Sequence, residues 1–428
     1  MKRPLLLSIS ALACLLICVG CGGPFFDDTQ DPSDPSATED LYQQLVPPPY
    51  YGTPLADLEC APNEILYCTK YDYPIEPNIT QGFTGKLQAN TYENGVGRLI
   101  FDNDVTIIPK SAFAGCNSLT YIKFPNTLET IDDKAFDGCT SLISFSLPQK
   151  TKKFGYDNVL RGCTSFEVLY MNTEKLVVPD NIRIEGNNAF VVCVPEALLA
   201  DCINRNAKNS APISFPFAAY DFEQNKLLSD YVLLYKTDNC EPMQLYVWKG
   251  EYDNINDLGQ VLGANICKSS GLGALIFGYP LTTIGSFYST ELTDYDASHI
   301  TYIKIPSSTK EIGNYAFDHL GVEEIDVPDS VEKVGEGAFE SCKNLKTLTL
   351  GRGLGSRTYR IGVGICDWCT SLEKVYCKAT TPPWAHEWGL FSGYTDSFTI
   401  YVPKESLDAY LADKYWGKWS ERLVGYKF

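Results

Sequence analysis

Residues 112–119 read Ala112-Phe113-Ala114-Gly115-Cys116-Asn117-Ser118-Leu119, and 23 residues later the chain repeats itself as Ala135-Phe136-Asp137-Gly138-Cys139-Thr140-Ser141-Leu142. The unit returns as Ala316-Phe317-Asp318-His319-Leu320 and, 22 residues on, as Ala338-Phe339-Glu340-Ser341-Cys342-Lys343-Asn344-Leu345. Degenerate copies stand at Leu160-Arg161-Gly162-Cys163-Thr164-Ser165-Phe166 and Cys366-Asp367-Trp368-Cys369-Thr370-Ser371-Leu372. After the closing Leu comes a short alternating stretch, as in Tyr121-Ile122-Lys123-Phe124-Pro125 and Tyr302-Ile303-Lys304-Ile305-Pro306. Period-two alternation closed by Pro predicts one short strand per repeat. The Ala-Phe segment is then the return arm, with Ala and Phe packed inward. One such unit cannot cover its own apolar face, so neighbours must stack into a solenoid.

A period of 22–24 residues falls in the leucine-rich-repeat window. The Ala-Phe-x-x-Cys-x-x-Leu unit with its Pro-terminated strand resembles the BspA-type leucine-rich-repeat proteins of Bacteroidetes and related bacteria. Two further segments resemble that family. Thr91–Phe101 is similar to the strands that precede its repeats, and Tyr401-Val402-Pro403-Lys404-Glu405-Ser406-Leu407-Asp408-Ala409-Tyr410 to its closing cap. The resemblance spans roughly residues 60 to 428. It implies an α/β repeat fold, a leucine-rich-repeat solenoid of parallel strands, and a non-catalytic surface protein.

A larger duplication overlies the small one. Leu99-Ile100-Phe101 matches Leu275-Ile276-Phe277, Leu87-Gln88-Ala89-Asn90 matches Leu262-Gly263-Ala264-Asn265, and Val194-Pro195-Glu196 parallels Val402-Pro403-Lys404. Each half is therefore expected to carry a β-rich opening module, its repeats and a helical cap, because an open solenoid end would expose stacked core and strand edges. The predicted arcs are residues 58–212 and 213–428.

Ahead of them, Lys2 and Arg3 precede a short apolar run, Leu5–Ile17, too short for a permanent span. Residues 1–20 read as a signal peptide. Gly20-Cys21 resembles the bacterial lipobox, with Cys18 where Leu is usual, and this implies lipid attachment at Cys21. Gly22 after that Cys implies release from the inner membrane, and hence an outer-membrane, surface-exposed address. Residues 21–57 are rich in Pro and Asp and read as a disordered tether.

The net charge of −18 removes the electrostatic case for nucleic-acid binding. Sixteen Cys need a reason. Cys116, Cys139, Cys163, Cys342 and Cys369 share one repeat position, which Leu320 also fills, so the slot is an apolar stacking site. Cys377 aligns with the inward Phe124, Leu147 and Leu350. Cys366-x-x-Cys369 falls on the Phe and Cys slots of one repeat, which reads as core rather than as a metal or redox pair. Cys60, Cys68, Cys193 and Cys202 lie outside this register, and the sequence leaves their pairing open. His299, His319 and His386 are far apart, and no hydrolase, zinc or phosphate-loop motif is present. Acid pairs such as Asp132-Asp133 and Glu323-Glu324 fall on turns or outward positions. No enzyme and no cofactor is expected.

Function is then expected on a surface. The outward residues of the strand row form an ordered face suited to contact: Tyr121, Lys123 and Tyr170 in the first half, then Tyr302, Lys304, Glu324, Asp326, Lys374 and Tyr376 in the second. The family resemblance implies adhesion to host matrix or plasma proteins, or to other cells. The second reading is a glycan-binding accessory protein of a polysaccharide-uptake system, with the terminal Trp384, Trp388, Trp416 and Trp419 stacking on sugars. Rings in a terminal cap also serve to seal the last rung.

Overall fold

The computed structural model describes residues 41–78, 82–175, 190–199, 201, 217–239, 262–267, 272–277, 280–285, 297–356, 361–385, 390–391 and 398–428. Cys21, Cys202, His386 and Trp388, with the signal segment, lie outside them. The described chain forms two compact units that meet in sequence at Leu228/Ser229. The seam falls beyond the expected 212/213 because one more strand pair closes the first sheet.

In the first unit the strands are β1 (Glu64–Thr69), β2 (Leu87–Glu93), β3 (Val96–Phe101), β4 (Ile107–Ile108), β5 (Leu119–Lys123), β6 (Thr130–Ile131), β7 (Ser144–Leu147), β8 (Lys153–Phe154), β9 (Val168–Met171), β10 (Val191–Val194), β11 (Phe217–Asp221) and β12 (Lys226–Leu227). Nine of them make one sheet in the order β12-β11-β10-β9-β7-β5-β1-β3-β2. The opening module β2-β3-β1 is antiparallel and joins β5 antiparallel, after which β5, β7, β9, β10 and β11 run parallel. The short β4, β6 and β8 form a second parallel ladder on the return side.

The second unit repeats this plan with β13 (Val232–Thr237), β14 (Leu262–Cys267), β15 (Leu272–Phe277), β16 (Thr283–Ile284), β17 (Ile300–Lys304), β18 (Glu311–Ile312), β19 (Glu324–Asp326), β20 (Lys333–Val334), β21 (Thr347–Leu350), β22 (Lys374–Cys377), β23 (Thr399–Pro403) and β24 (Leu423–Tyr426). Its opening sheet is β14-β15-β13-β17, and its repeat sheet is β19-β21-β22-β23-β24. The duplicated Leu-Ile-Phe and Leu-x-Ala-Asn segments are thus the paired strands β2/β3 and β14/β15. The helical part of the second cap is short, Leu407–Ala412 followed by the 3-10 turns of Trp416–Arg422.

Alternation along each strand sends one residue in and the next out. Ile122, Phe145 and Leu169 are fully buried, as are Ile325, Leu348, Val375 and Ile400. The return arms supply the opposite wall. Phe113 and Phe136 stack 5.3 Å apart at 4°, and Phe317 and Phe339 6.1 Å apart at 2°. Burying a Phe contributes about 1.5–3 kcal/mol, so a ladder of them dominates the energetics of stacking. The arms also bond to each other: the N–H of Phe113 donates to Ala135 O at 2.8 Å, and that of Phe317 to Ala338 O at 2.8 Å.

The repeat-position cysteines are buried free thiols, as their alignment with Leu320 predicts, but they are not purely apolar. Four of these thiols donate to the Phe carbonyl one rung back, Cys139 to Phe113 O at 3.0 Å, Cys163 to Phe136 O at 3.1 Å, Cys342 to Phe317 O at 3.1 Å and Cys369 to Phe339 O at 3.0 Å, while Cys116, in the first repeat, faces Glu76 O at 3.9 Å. Burial pushes the Cys163 thiol up to about 12, so it stays protonated and keeps donating. Among the described residues no group of His, Cys, Asp or Glu is arranged to hold a metal ion.

Each return arm carries two left-handed residues astride its Phe position. They are Ser111 and Gly115, Lys134 and Gly138, then Asn158 and Gly162 in the first unit. In the second they are Tyr315 and His319, Gly337 and Ser341, then Gly364 and Trp368. The glycine sits after the Phe slot in all three arms of the first unit and before it in the last two arms of the second, where the arm of Tyr315 and His319 has none.

The tether expected to reach residue 57 ends sooner. Residues 41–45 are helical, and Leu41, Tyr42, Leu45, Val46, Tyr50 and Leu55 are buried. These side chains bring enough apolar surface to pay for ordering the segment.

Candidate functional site

The outward strand row of the first unit is covered by that segment. Tyr50 reaches into the sheet between β5 and β7. Its hydroxyl donates to Ile122 O at 3.0 Å and accepts from the Ser146 N–H at 3.2 Å. The phenol oxygen therefore bridges a rung that the two strands would otherwise close themselves. Lys123 lies with Nζ 5.2 Å from the centre of the Tyr50 ring and donates to Leu55 O at 2.9 Å. Further along, the Tyr170 hydroxyl donates to Pro47 O. Tyr121 packs on the apolar cluster of Tyr50, Leu55, Leu66, Cys68 and Val96. Desolvation by burial raises the Tyr50 and Tyr170 phenols above their ordinary range and lowers the Lys123 ammonium.

Of the expected first-half contact residues, then, Tyr170 is 1 % exposed and Lys123 is committed to the segment of residues 41–55, a strap across the row. That half of the row is not an open face. Tyr50 itself has φ +65, a conformation that bulky residues avoid, and the two hydrogen bonds through its hydroxyl hold it there.

The second unit's row is open. Glu324, Asp326 and Lys374 are exposed, while Tyr302, Lys304, Thr347, Thr349 and Tyr376 are half-buried. Lys236 sits 5.8 Å from the Tyr302 ring centre, and Lys378 lies 3.6 Å from Asp326. Strand register then carries the row onward: Asp326 pairs with Thr349, Thr349 with Tyr376, Tyr376 with Tyr401, and Tyr401 with Val424. Tyr376 and Tyr401 stack 4.8 Å apart at 18°. Tyr426 meets both edge-on at 5.6 Å, and Phe428 lies 5.0 Å from Tyr426. Val424, Tyr426 and Phe428 are each more than 40 % exposed, so the row ends in an apolar, aromatic patch.

Sequence reasoning found Tyr376 and missed its companions. Tyr401 was hidden inside the cap motif, although Thr399-Ile400-Tyr401-Val402 alternates as the other strands do. Tyr426 lies on a closing strand that the repeat register does not predict, and Phe428 two residues beyond it.

Of the tryptophans expected as a glycan site, Trp416 is cap core, Trp419 is half-buried and Trp384 is exposed. Trp416 is fully buried with its indole N–H on Pro383 O at 2.9 Å, and its ring stands edge-on to Tyr410 at 5.1 Å. Trp419 packs on Phe391 and Phe398 beneath the Arg422 guanidinium. Trp384 is 36 % exposed, and its carbonyl accepts the Ile361 N–H at 2.7 Å. The acid pairs are surface features: Asp132 bonds Lys153 at 2.7 Å and Glu323 bonds Lys346 at 2.8 Å, each one rung on. Exposed pairs of this kind contribute little.

Among solved structures, the chain is similar to a leucine-rich repeat protein from Bacteroides ovatus at 17% identity, covering 83% of this chain and 82% of that one, with a TM-score of 0.23. It is similar to the pneumococcal vaccine antigen PcpA at 15% identity, covering 76% and 84%, with a TM-score of 0.24. A leucine rich cell surface protein from Faecalibacterium prausnitzii shows 15% identity over 76% of this chain and 57% of that one, with a TM-score of 0.20. Likeness at this level carries no function with it. None of the curated proteins matches. The family described as BspA type Leucine rich repeat region matches residues 89–196 and 263–382 in six copies, more than half of the sequence. With its stacked Phe arms and parallel strand rows, the chain belongs to the BspA-type leucine-rich-repeat family.

Proposed function

We propose that this chain is a non-catalytic surface protein that binds a protein partner through the outward strand row of its second unit. Adhesion to matrix or plasma proteins, or to other cells, is the role such a row fits, and a lipid on Cys21 would hold the protein at the outer membrane. The single observation behind this reading is the row from Tyr302 to Phe428, in which exposed Glu324, Asp326 and Lys374 alternate with half-buried residues and stacked rings close the end. Buried interface cores are enriched in Tyr, and a few such residues carry most of the affinity. No helix among the described residues is long and apolar enough to cross a membrane.

The test is binding of the chain to immobilised matrix proteins, plasma proteins and polysaccharides, compared with Tyr376→Ser/Tyr401→Ser. A protein hit weakened about tenfold or more in the variant is expected, the loss typical of an aromatic anchor. A protein hit untouched by the double change would sink the assignment to this row. A polysaccharide hit abolished by it would transfer the patch to glycan recognition, with tyrosines in place of the expected tryptophans.

A further inference from the structure

The two opening modules superimpose rung for rung in their pairing. In the first unit Leu66 pairs with Lys123, Tyr67 with Ile122 and Thr69 with Leu119, with a register shift after Cys68. In the second Leu234 pairs with Lys304, Tyr235 with Ile303 and Thr237 with Ile300, with the shift after Lys236. Ile303 and Lys304 therefore stand where Ile122 and Lys123 stand. On the next strand Asp326 takes the place of Ser146, three-residue cores Ser144-Phe145-Ser146 and Glu324-Ile325-Asp326 being equivalent. Tyr302 repeats Tyr121, and Thr349 offers a hydroxyl in the place of Tyr170.

In the first unit the rung between Ile122 O and Ser146 N–H is filled by the Tyr50 hydroxyl. In the second, no ladder joins β17 to β19 among the described residues, and the sheet is broken between them. The row there is accessible, with Asp326 exposed and Tyr302 and Lys304 half-buried. The same acceptor, the same donor and the same lysine are present, and among the described residues no tyrosine fills the rung.

We propose that the open rung between Ile303 and Asp326 is a receptor for a tyrosine side chain from a proline-preceded turn of a partner protein. Its hydroxyl donates to Ile303 O and accepts from the Asp326 N–H, while its ring lies on the Lys304 ammonium, as Tyr50 does in its own rung. The chain's Val46-Pro47-Pro48-Pro49-Tyr50 shows the chemistry that fits: prolines restrict the approach to a turn, which the Tyr51 N–H closes on Pro48 O at 3.0 Å, so less entropy is lost on docking. A ring on a lysine and two hydrogen bonds through one hydroxyl make the site selective for Tyr over Phe. This deepens the binding role proposed above and names the partner chemistry at one end of the same row.

The probe is a fluorescein-labelled peptide of residues 41–58, titrated into the full chain by anisotropy, beside the same peptide carrying Tyr50→Phe. Saturable binding is expected, about tenfold weaker for the Phe peptide, and weakened likewise by Lys304→Met in the protein. Asp326→Pro, which removes the donor N–H at a strand edge, is expected to match, and circular dichroism reports whether either variant stays folded. Equal binding of the Tyr and Phe peptides would overturn the proposal. So would binding that survives Lys304→Met but falls with Lys123→Met, which would mean exchange with the chain's own strap. Sedimentation of the full chain covers the remaining occupant: dimers lost on Tyr50→Phe would make it a second copy rather than a partner. Failure of the peptide with the array hits intact removes this inference alone and leaves the binding row in place.

Discussion

Phe136→Ala is expected to cost about 3–5 kcal/mol, the range for emptying a fully buried aromatic site. Phe136 is 0 % exposed and touches three rings: Phe113 at 5.3 Å, Phe145 at 5.3 Å and Phe124 at 6.2 Å. The void would open at the junction of the return arms and the strand sheet, where two rungs and both walls meet. Backbone on each side is held by the arm ladder, Phe113 N–H to Ala135 O and Phe136 N–H to Val159 O, so the site cannot collapse cheaply. Domains are stable by about 5–15 kcal/mol, and such a loss consumes much of that margin. Urea unfolding followed by circular dichroism gives the number, with Phe136→Leu as the milder control. A loss below about 1 kcal/mol would show that the ring ladder does not hold the rungs together.

Gly97→Val is expected to be as damaging for a different reason. Gly97 pairs across the sheet with Tyr67, whose fully buried ring lies flat on the glycine. A Cβ at residue 97 would meet that ring's carbons at 2.0–2.4 Å, a distance no packing adjustment absorbs. The ring must leave, and with it goes the Tyr67 hydroxyl bond to Asn90 at 2.6 Å. The duplicated module repeats the device with Tyr235 on Gly273, where a Cβ would meet ring carbons at 2.2 and 2.4 Å. About 3 kcal/mol or more is expected at either site, overpacking at its severe end. Pairing Gly97→Ala with Tyr67→Ala should cost less than the two single changes summed, because the second removes the first one's clash. Additive losses in that cycle would show that the ring and the glycine are not one unit.

The repeat was legible in the sequence because each of its constraints recurs. Phe113, Phe136, Phe317 and Phe339 must meet the same neighbours one rung away, so the pattern is written several times over. The cysteine slot was legible for the same reason, Leu320 having shown it to be apolar; the thiol-to-carbonyl bonds were not, since alignment records volume and not direction. The strap was missed for a physical reason. A segment of one short helix followed by turns buries its side chains with no sustained period, and the acidic, Pro-rich start of Gly22–Asp57 masks Leu41, Leu45, Val46, Tyr50 and Leu55. The same error placed Tyr170 and Lys123 on an open face: their own strand looks like every other, and what covers them comes from far away in sequence. The aromatic patch is assembled across β22, β23 and β24, so no window of sequence contains it.

Strap and broken ladder together bear on cooperativity. Repeats in an array usually hold only their neighbours and can be lost one at a time from an end. The segment around Tyr50 grips β5 and β7 through Ile122 and Ser146 and reaches β9 through Tyr170, binding three rungs into one. The second unit has no described counterpart and a sheet divided between β17 and β19. Hydrogen exchange should therefore show residues 119–171 opening as a single block with one free energy, whereas the rungs from β19 to β24 open in graded order from an edge. Graded opening of the first block would mean that the strap covers its rungs without joining them.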